Sequence, residues 1–131
     1  MTHNPGPMTS QAFNAFCASL PATTHVIQWG NADVWKVGGK VFAIGGWQMP
    51  RLEKAGRLAF SFKTSALNFD ILKDEPGFRP APYLASRGFK WIQHFDESTK
   101  AEDELKYYLS ESHRLVALGL SKKKKQELGL L

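Results

Sequence analysis

Residues 33–44, DVWKVGGKVFAI, constrain this chain more than any other stretch. Two alternating apolar runs meet at Gly38-Gly39, and a two-residue turn of this kind needs positive φ at both central positions. The expectation is a tight hairpin with Val37 opposite Lys40 and Trp35 opposite Phe42. Strict alternation then puts Trp35, Val37, Phe42 and Ile44 on one face, with Val34, Lys36, Val41 and Ala43 on the other. The aromatic face is the one expected to be buried, which turns Lys36 outward.

Around this hairpin the periodicity changes repeatedly. Thr9 or Ser10 caps an expected first helix whose stripe is Phe13, Phe16, Cys17 and Leu20, and Pro21 ends it. Cys17 lies on that stripe and reads as a small buried hydrophobe. Residues 23–29 are β-branched and aromatic and read as a strand. Residues 51–56 read as a basic loop, and 57–63 alternate again, with Leu58, Phe60 and Phe62 on one side. Ser65 caps a short helix over 66–73. Residues 78–82 carry two prolines and read as a rigid loop, 83–85 as a short strand, and 89–95 as a further strand. Thr99 and Glu102 have capping-box spacing for a last helix over about residues 100–119. The order predicts an α+β two-layer sandwich: a mostly antiparallel sheet of five or six strands with helices on one face. Residues 1–8 read as a flexible arm, 9–120 as a single domain, and 121–131 as a basic tail that frays or forms one further turn.

Composition narrows the class. The chain has 131 residues, ordinary globular proportions, and no apolar run long enough to span a membrane. One cysteine forbids an internal disulfide and favours a reducing compartment. The opening MTHNPGPMTS has neither the basic start nor the apolar core of a secretory signal, so the expected location is cytoplasmic. The net charge of +5 rests largely on four lysines at 122–125; without them, 13 basic residues face 12 acids. The rest is sorted, however. Residues 36–90 hold ten basic residues against four acids, whereas residues 91–111 hold six acids against two lysines. Segregated charge of this kind creates a field that attracts a polyanion.

The residues give little support for catalysis. His3, His25, His94 and His113 lack metal-ligand spacing, no G-x-S-x-G elbow is present, and neither Gly-Gly pair opens a phosphate-cradling helix. The adjacent carboxylates Asp96 and Glu97 read as a turn and helix start. No cofactor or metal is expected, and the chain reads as non-enzymatic. The remaining signal is cations interleaved with aromatics. If Trp35, Phe60, Phe62, Phe89 and Trp91 face the helices, Lys36, Lys63 and Lys90 emerge on an open sheet face, where long cationic side chains suit phosphates.

The hairpin KVGGKVFA at 36–43, the segment FRPAPYLASRGFKWIQ at 78–93, the opening FCASLPAT at 16–23 and a closing helix together resemble the MmcQ/YjbR family over roughly residues 9–127. That resemblance implies an α+β fold likened to CyaY and to secretion chaperones, and DNA binding in which hairpin wings make contacts. At matching motif positions it points to Lys36, Lys40, Arg79, Tyr83, Arg87, Lys90 and Trp91. Some members carry His-Met-Asn-Lys in place of residues 83–86, so a role tied to that histidine or lysine does not transfer to this chain.

The expectation is therefore weakly sequence-specific DNA binding through Lys36, Lys40, Lys63, Arg79, Tyr83, Arg87, Lys90 and Trp91. The alternative is a protein- or peptide-binding adaptor that uses the open sheet face or an edge strand, with an apolar patch at Trp29, Trp47 or Tyr83. A third reading, a small-ligand site, needs a deep pocket around Tyr83, Arg87 and His94.

Overall fold

Glycines 38 and 39 set the geometry on which the sheet is arranged. In the computed structural model, which describes residues 9–46, 59–82, 84–95 and 102–131, their φ angles are 60° and 82°. That left-handed pair is what a type I′ turn requires. It joins β2 (Ala32–Val37) to β3 (Lys40–Gly45), and β1 (Thr23–Gln28), β4 (Phe60–Lys63), β5 (Phe78–Pro80) and β6 (Trp91–His94) complete the sheet. All neighbouring pairs are antiparallel, in the order β1-β2-β3-β4-β6-β5. The described helices are α1 (Ser10–Ser19), α2 (Ala66–Leu72), α3 (Glu102–Leu118) and α4 (Lys122–Glu127).

The caps follow the sequence. Thr9 Oγ1 accepts from the Ala12 N–H at 3.0 Å, and Ser65 Oγ from the Asn68 N–H at 3.1 Å, each satisfying a helix-start donor that has no carbonyl of its own. Apolar stripes of α1 and α3, with Leu72 of α2, then close over one sheet face. Phe13, Cys17, Leu105, Leu109 and Val116 meet Trp35, Phe42, Phe60, Phe62 and Ile92 in one cluster. Phe13 stacks on Phe60 at 4.7 Å between ring centroids, and Phe62 on Tyr108 at 5.7 Å. Each such ring removed from water contributes about 1.5–3 kcal/mol.

The hairpin departs from strict alternation. Val37 does pair with Lys40, but the register shifts between Trp35 and Lys36, so that Trp35 faces Ala43 rather than Phe42. Phe42 is the extra residue of a β-bulge, and a bulge reverses the facing of everything beyond it. Phe42 and Ala43 both enter the helix-side cluster, while Ile44 pairs with Val34 on the opposite face. Ser112 of α3 occupies the break. Its Oγ accepts from the Lys63 N–H at 2.8 Å and donates to the Phe42 carbonyl at 2.6 Å, so a fully buried hydroxyl joins β3 to β4 where their ladder parts.

The second face is not the open cationic surface expected. Ala32, Val34, Ile44, Ala81 and Trp91 form a second buried cluster there, with Val26, Val41 and Leu84 packed against it. Trp91 therefore lies on the face away from the helices, because Ile92, its neighbour in β6, points into the helix-side core. Phe89 precedes β6 and is 53% exposed. The expected strand at 83–85 is absent from the described part of that segment, where residues 85–87 form a 3₁₀ turn. The strand lies instead at Phe78–Pro80, within the stretch read as a loop. Its proline is compatible with pairing because β5 is an edge strand. The arm at 1–8, the loop at 51–56, Trp47, Tyr83 and Thr99 of the expected capping box lie outside the described residues.

Candidate nucleic-acid interface

Register determines which cations meet. Thr23 pairs with Val37, Val37 with Lys40, and Lys63 with Trp91. The Thr64 N–H donates to the Lys90 carbonyl at 2.8 Å, and the Ala81 N–H to the Trp91 carbonyl at 2.9 Å. All these residues lie at one end of the sheet, the end of the Gly38-Gly39 turn. Lys36, Lys40, Lys63 and Lys90, from three stretches of chain, are therefore neighbours at the ends of β2, β3, β4 and at the entry to β6. Arg87 belongs to the same end through the turn that joins β5 to β6.

Their settings differ. Lys40, Arg87 and Lys90 are exposed, whereas Lys36 and Lys63 are half-buried, a setting that long cationic side chains tolerate by keeping the charged head in water. Lys90 Nζ sits 4.9 Å from the centroid of the Phe69 ring, a cation–π contact that orients the chain without neutralising it. Arg79 is held differently. Its Nε and Nη2 both donate to Gln93 Oε1, at 2.8 and 2.6 Å, its guanidinium lies over Phe95 at 5.1 Å, and Gln93 Nε2 passes the chain on to Ser61 Oγ at 3.3 Å. Arg79 thus anchors a polar row across β5, β6 and β4, set back from the turn end. Trp91 is 7% exposed, which leaves its indole no face for a base to stack on. Tyr83 lies outside the described residues.

Most of the described acids lie toward the other end. The row Asp33, Gly45, Phe60, His94, Phe78 crosses five strands there, which places Asp33 at that end and Asp74 and Glu75 just before β5. Helix α3 runs from this end to the turn end: Tyr108 stacks on Phe62, Ser112 reaches Lys63, and past the helix Leu120 rests on Gly38. Its first turn carries Glu102, Asp103 and Glu104, matching the positive end of the helix dipole. Seventeen residues at 1.5 Å each separate the two ends of the helix by about 25 Å. Among the described residues, the strand-end lysines and most of the acids thus lie at opposite ends, with Lys73 and Lys106 among the acids and Glu127 beside the lysine run.

Other chemistry-bearing groups are tied into the scaffold. Burial pushes the Cys17 thiol far above its ordinary range, so it stays protonated and is a poor nucleophile. His113 Nε2 lies 2.8 Å from the Pro21 carbonyl, and its ring meets Phe42 edge-on at 5.2 Å. His25 Nε2 lies 2.9 Å from Asp33 Oδ1, against the Trp35 ring, and the Trp35 Nε1–H donates to Asn14 Oδ1 at 2.9 Å. Among the described residues, no group of three or more His, Cys, Asp or Glu side chains is placed to hold a metal ion, and no helix is long and apolar enough to cross a membrane. A shallow groove of about 210 Å³ opens between α3 and the chain end, lined by His113, Arg114, Ala117, Leu118, Lys125 and Leu130. His94, around which a small-ligand site would need a deep pocket, is buried. The further turn offered for the lysine run is observed as α4, capped by Ser121, whereas the sequence reading places neither Leu120 nor these lysines beside the hairpin turn.

No curated protein matches the chain. Among solved structures it is similar to Deinococcus radiodurans protein DR2400, described as a DUF419 domain, with a TM-score of 0.79 and 21% identity over 99% of this chain and 94% of that one. At that identity the likeness establishes a shared fold. The family model described as YjbR matches residues 18–115, a span from the end of α1 through most of α3, and on that match the chain belongs to the YjbR family.

Proposed function

We propose that this protein is a non-enzymatic, cytoplasmic DNA-binding protein that contacts backbone phosphates through the cationic turn end of its sheet. The observation that carries this reading is the register that gathers Lys36, Lys40, Lys63, Arg87 and Lys90 from distant parts of the chain, while most of the described acids lie toward the far end. Lysines are mobile point charges, suited to phosphates and poor at reading base edges, so binding is salt-sensitive and largely independent of sequence. Fluorescence anisotropy with a labelled 20-bp duplex at two salt concentrations tests it. Binding at ~50 mM salt that weakens steeply by ~200 mM is expected. No binding at the lower salt rejects the reading.

One observation favours a second reading, a peptide-binding adaptor. Edge strand β1 carries no Lys, Glu or Pro to deter strand addition, and Ile27 on it is 61% exposed. Capture of an extended peptide by a chain that ignores DNA would favour it instead.

A further inference from the structure

We infer that the phosphate-binding surface continues from the hairpin turn onto α4, so that the lysine run is a fixed part of the interface and not a loose solubilising tail. The inference rests on the DNA-binding reading and adds residues to that site. Its basis is the contact between Leu120 and Gly38. A Cβ built on Gly38 would lie 2.6 Å from Leu120 Cδ1, so the isobutyl group occupies space that only a glycine at that turn leaves free. Leu120 is itself buried in the helix-side core. Leu120, two positions before the lysine run, is thereby pinned to the turn that presents Lys40.

The run is held at both ends. Ser121 Oγ accepts from the Lys124 N–H at 3.1 Å, and the Lys125 N–H reaches the Ser121 carbonyl at 2.9 Å. After the helix, the Leu130 N–H donates to the Lys125 carbonyl at 2.8 Å, and Leu128 and Leu130 pack against the core. These apolar anchors stop a six-residue helix, too short to persist alone, from melting. Lys122, Lys123 and Lys124 are exposed, Lys125 turns toward the groove beside Arg114, and the single acid of the segment, Glu127, lies 4.0 Å from Lys124. An exposed pair at that distance neutralises little. The segment thus adds a net charge of +3 beside the turn. Crowding like charges opposes folding unless a polyanion compensates them, and a duplex backbone supplies phosphates in a continuous row.

The test compares the full-length chain with the Lys122→Gln, Lys123→Gln, Lys124→Gln variant by anisotropy on a 20-bp duplex across a salt series, with circular dichroism to confirm the fold. The substitutions are on the surface and keep helix-forming side chains. The log–log salt slope is expected to fall by up to about 2.7, at roughly 0.9 for each phosphate that the variant no longer neutralises. A second variant, Leu120→Ala, retains every charge but frees α4 from the turn, and is expected to bind more weakly than wild type. If wild type binds while the triple variant has the same affinity and slope, the inference fails and the DNA-binding reading survives. If wild type does not bind at ~50 mM salt, the DNA-binding reading itself fails, and the inference with it. Unchanged DNA binding with lost binding to phosphatidylserine vesicles would assign the lysines to a lipid surface and overturn the inference.

Discussion

The two ends of the sheet share one hydrophobic core and differ in almost everything else. At the turn end, strands close through Gly38-Gly39, β3 and β4 are bridged by Ser112 rather than by their own ladder, and Lys36, Lys40, Lys63 and Lys90 gather with α4 beside them. At the far end, Phe13 stacks on Phe60, His94 is buried against Phe78 at 4.8 Å, and Asp33, Asp74, Glu75 and the start of α3 are acidic. Neither end is dictated by the net charge. Among the described residues, register and the direction of α3 set the strand-end lysines and most of the acids apart, and a charge gradient of that kind orients an approaching polyanion.

Substitutions separate the two ends to different degrees. Truncating Phe62→Ala removes a fully buried ring shared by both ends and costs about 3–5 kcal/mol, read from urea unfolding; a destabilisation this large abolishes the difference by loosening the whole scaffold. Ser112→Ala acts on one end alone. It leaves the Phe42 carbonyl and the Lys63 N–H without their bridge, costs about 1–3 kcal/mol, and speeds hydrogen exchange at Lys63 more than at Gln93. Equal acceleration at both amides would contradict the local role of the hydroxyl.

Charge reversal sharpens the contrast further. Lys36→Glu with Lys90→Glu is expected to weaken DNA binding by at least about tenfold at low salt, while changing stability by about 1 kcal/mol or less. Glu102→Gln with Glu104→Gln, at the far end, leaves affinity nearly unchanged. Similar effects from the two pairs would mean that the ends are electrically equivalent. The smallest effect belongs to α3's outer surface. Two hydrogen bonds from Arg114, at 2.9 and 3.0 Å, hold the Glu111 carboxyl below its ordinary range. A carboxyl depressed on folding contributes stability above its unfolded pKa and loses it as pH falls through the folded value. Arg114→Gln is therefore expected to return the Glu111 titration, followed by NMR, to the usual carboxylate range. Because the pair is exposed, the melting temperature barely moves.

Much of this architecture is legible in local chemistry. The Gly-Gly turn, the Thr9 and Ser65 caps and the buried Cys17 each follow from residues within a few positions of one another. What stays hidden depends on partners far away in the chain. Phe42 breaks alternation because α3 offers Ser112 to the backbone groups that the bulge frees, and nothing in residues 33–44 announces that helix. Trp91 takes the face opposite to the expected one because its strand's phase is fixed by pairing with β4, through Lys63 opposite Trp91. The two prolines mask β5, although an edge strand tolerates one. Lys36, Lys63 and Lys90 are legible as cations next to aromatics, and Lys40 through the family resemblance, but the sequence suggests a shared face for the first three where register gives all four a shared end. The lysine run reads as a separate tail because its docking depends on a leucine meeting a glycine 82 positions away.

The most direct test is an amide-resolved NMR titration of the chain with a short DNA duplex at low salt. Shift changes are expected to concentrate at Lys36, Lys40, Lys63, Lys90 and residues 122–125, with Glu102, Asp103 and Glu104 silent. Perturbations centred on β1 or on the acidic start of α3, with the turn end unmoved, would contradict that placement of the interface.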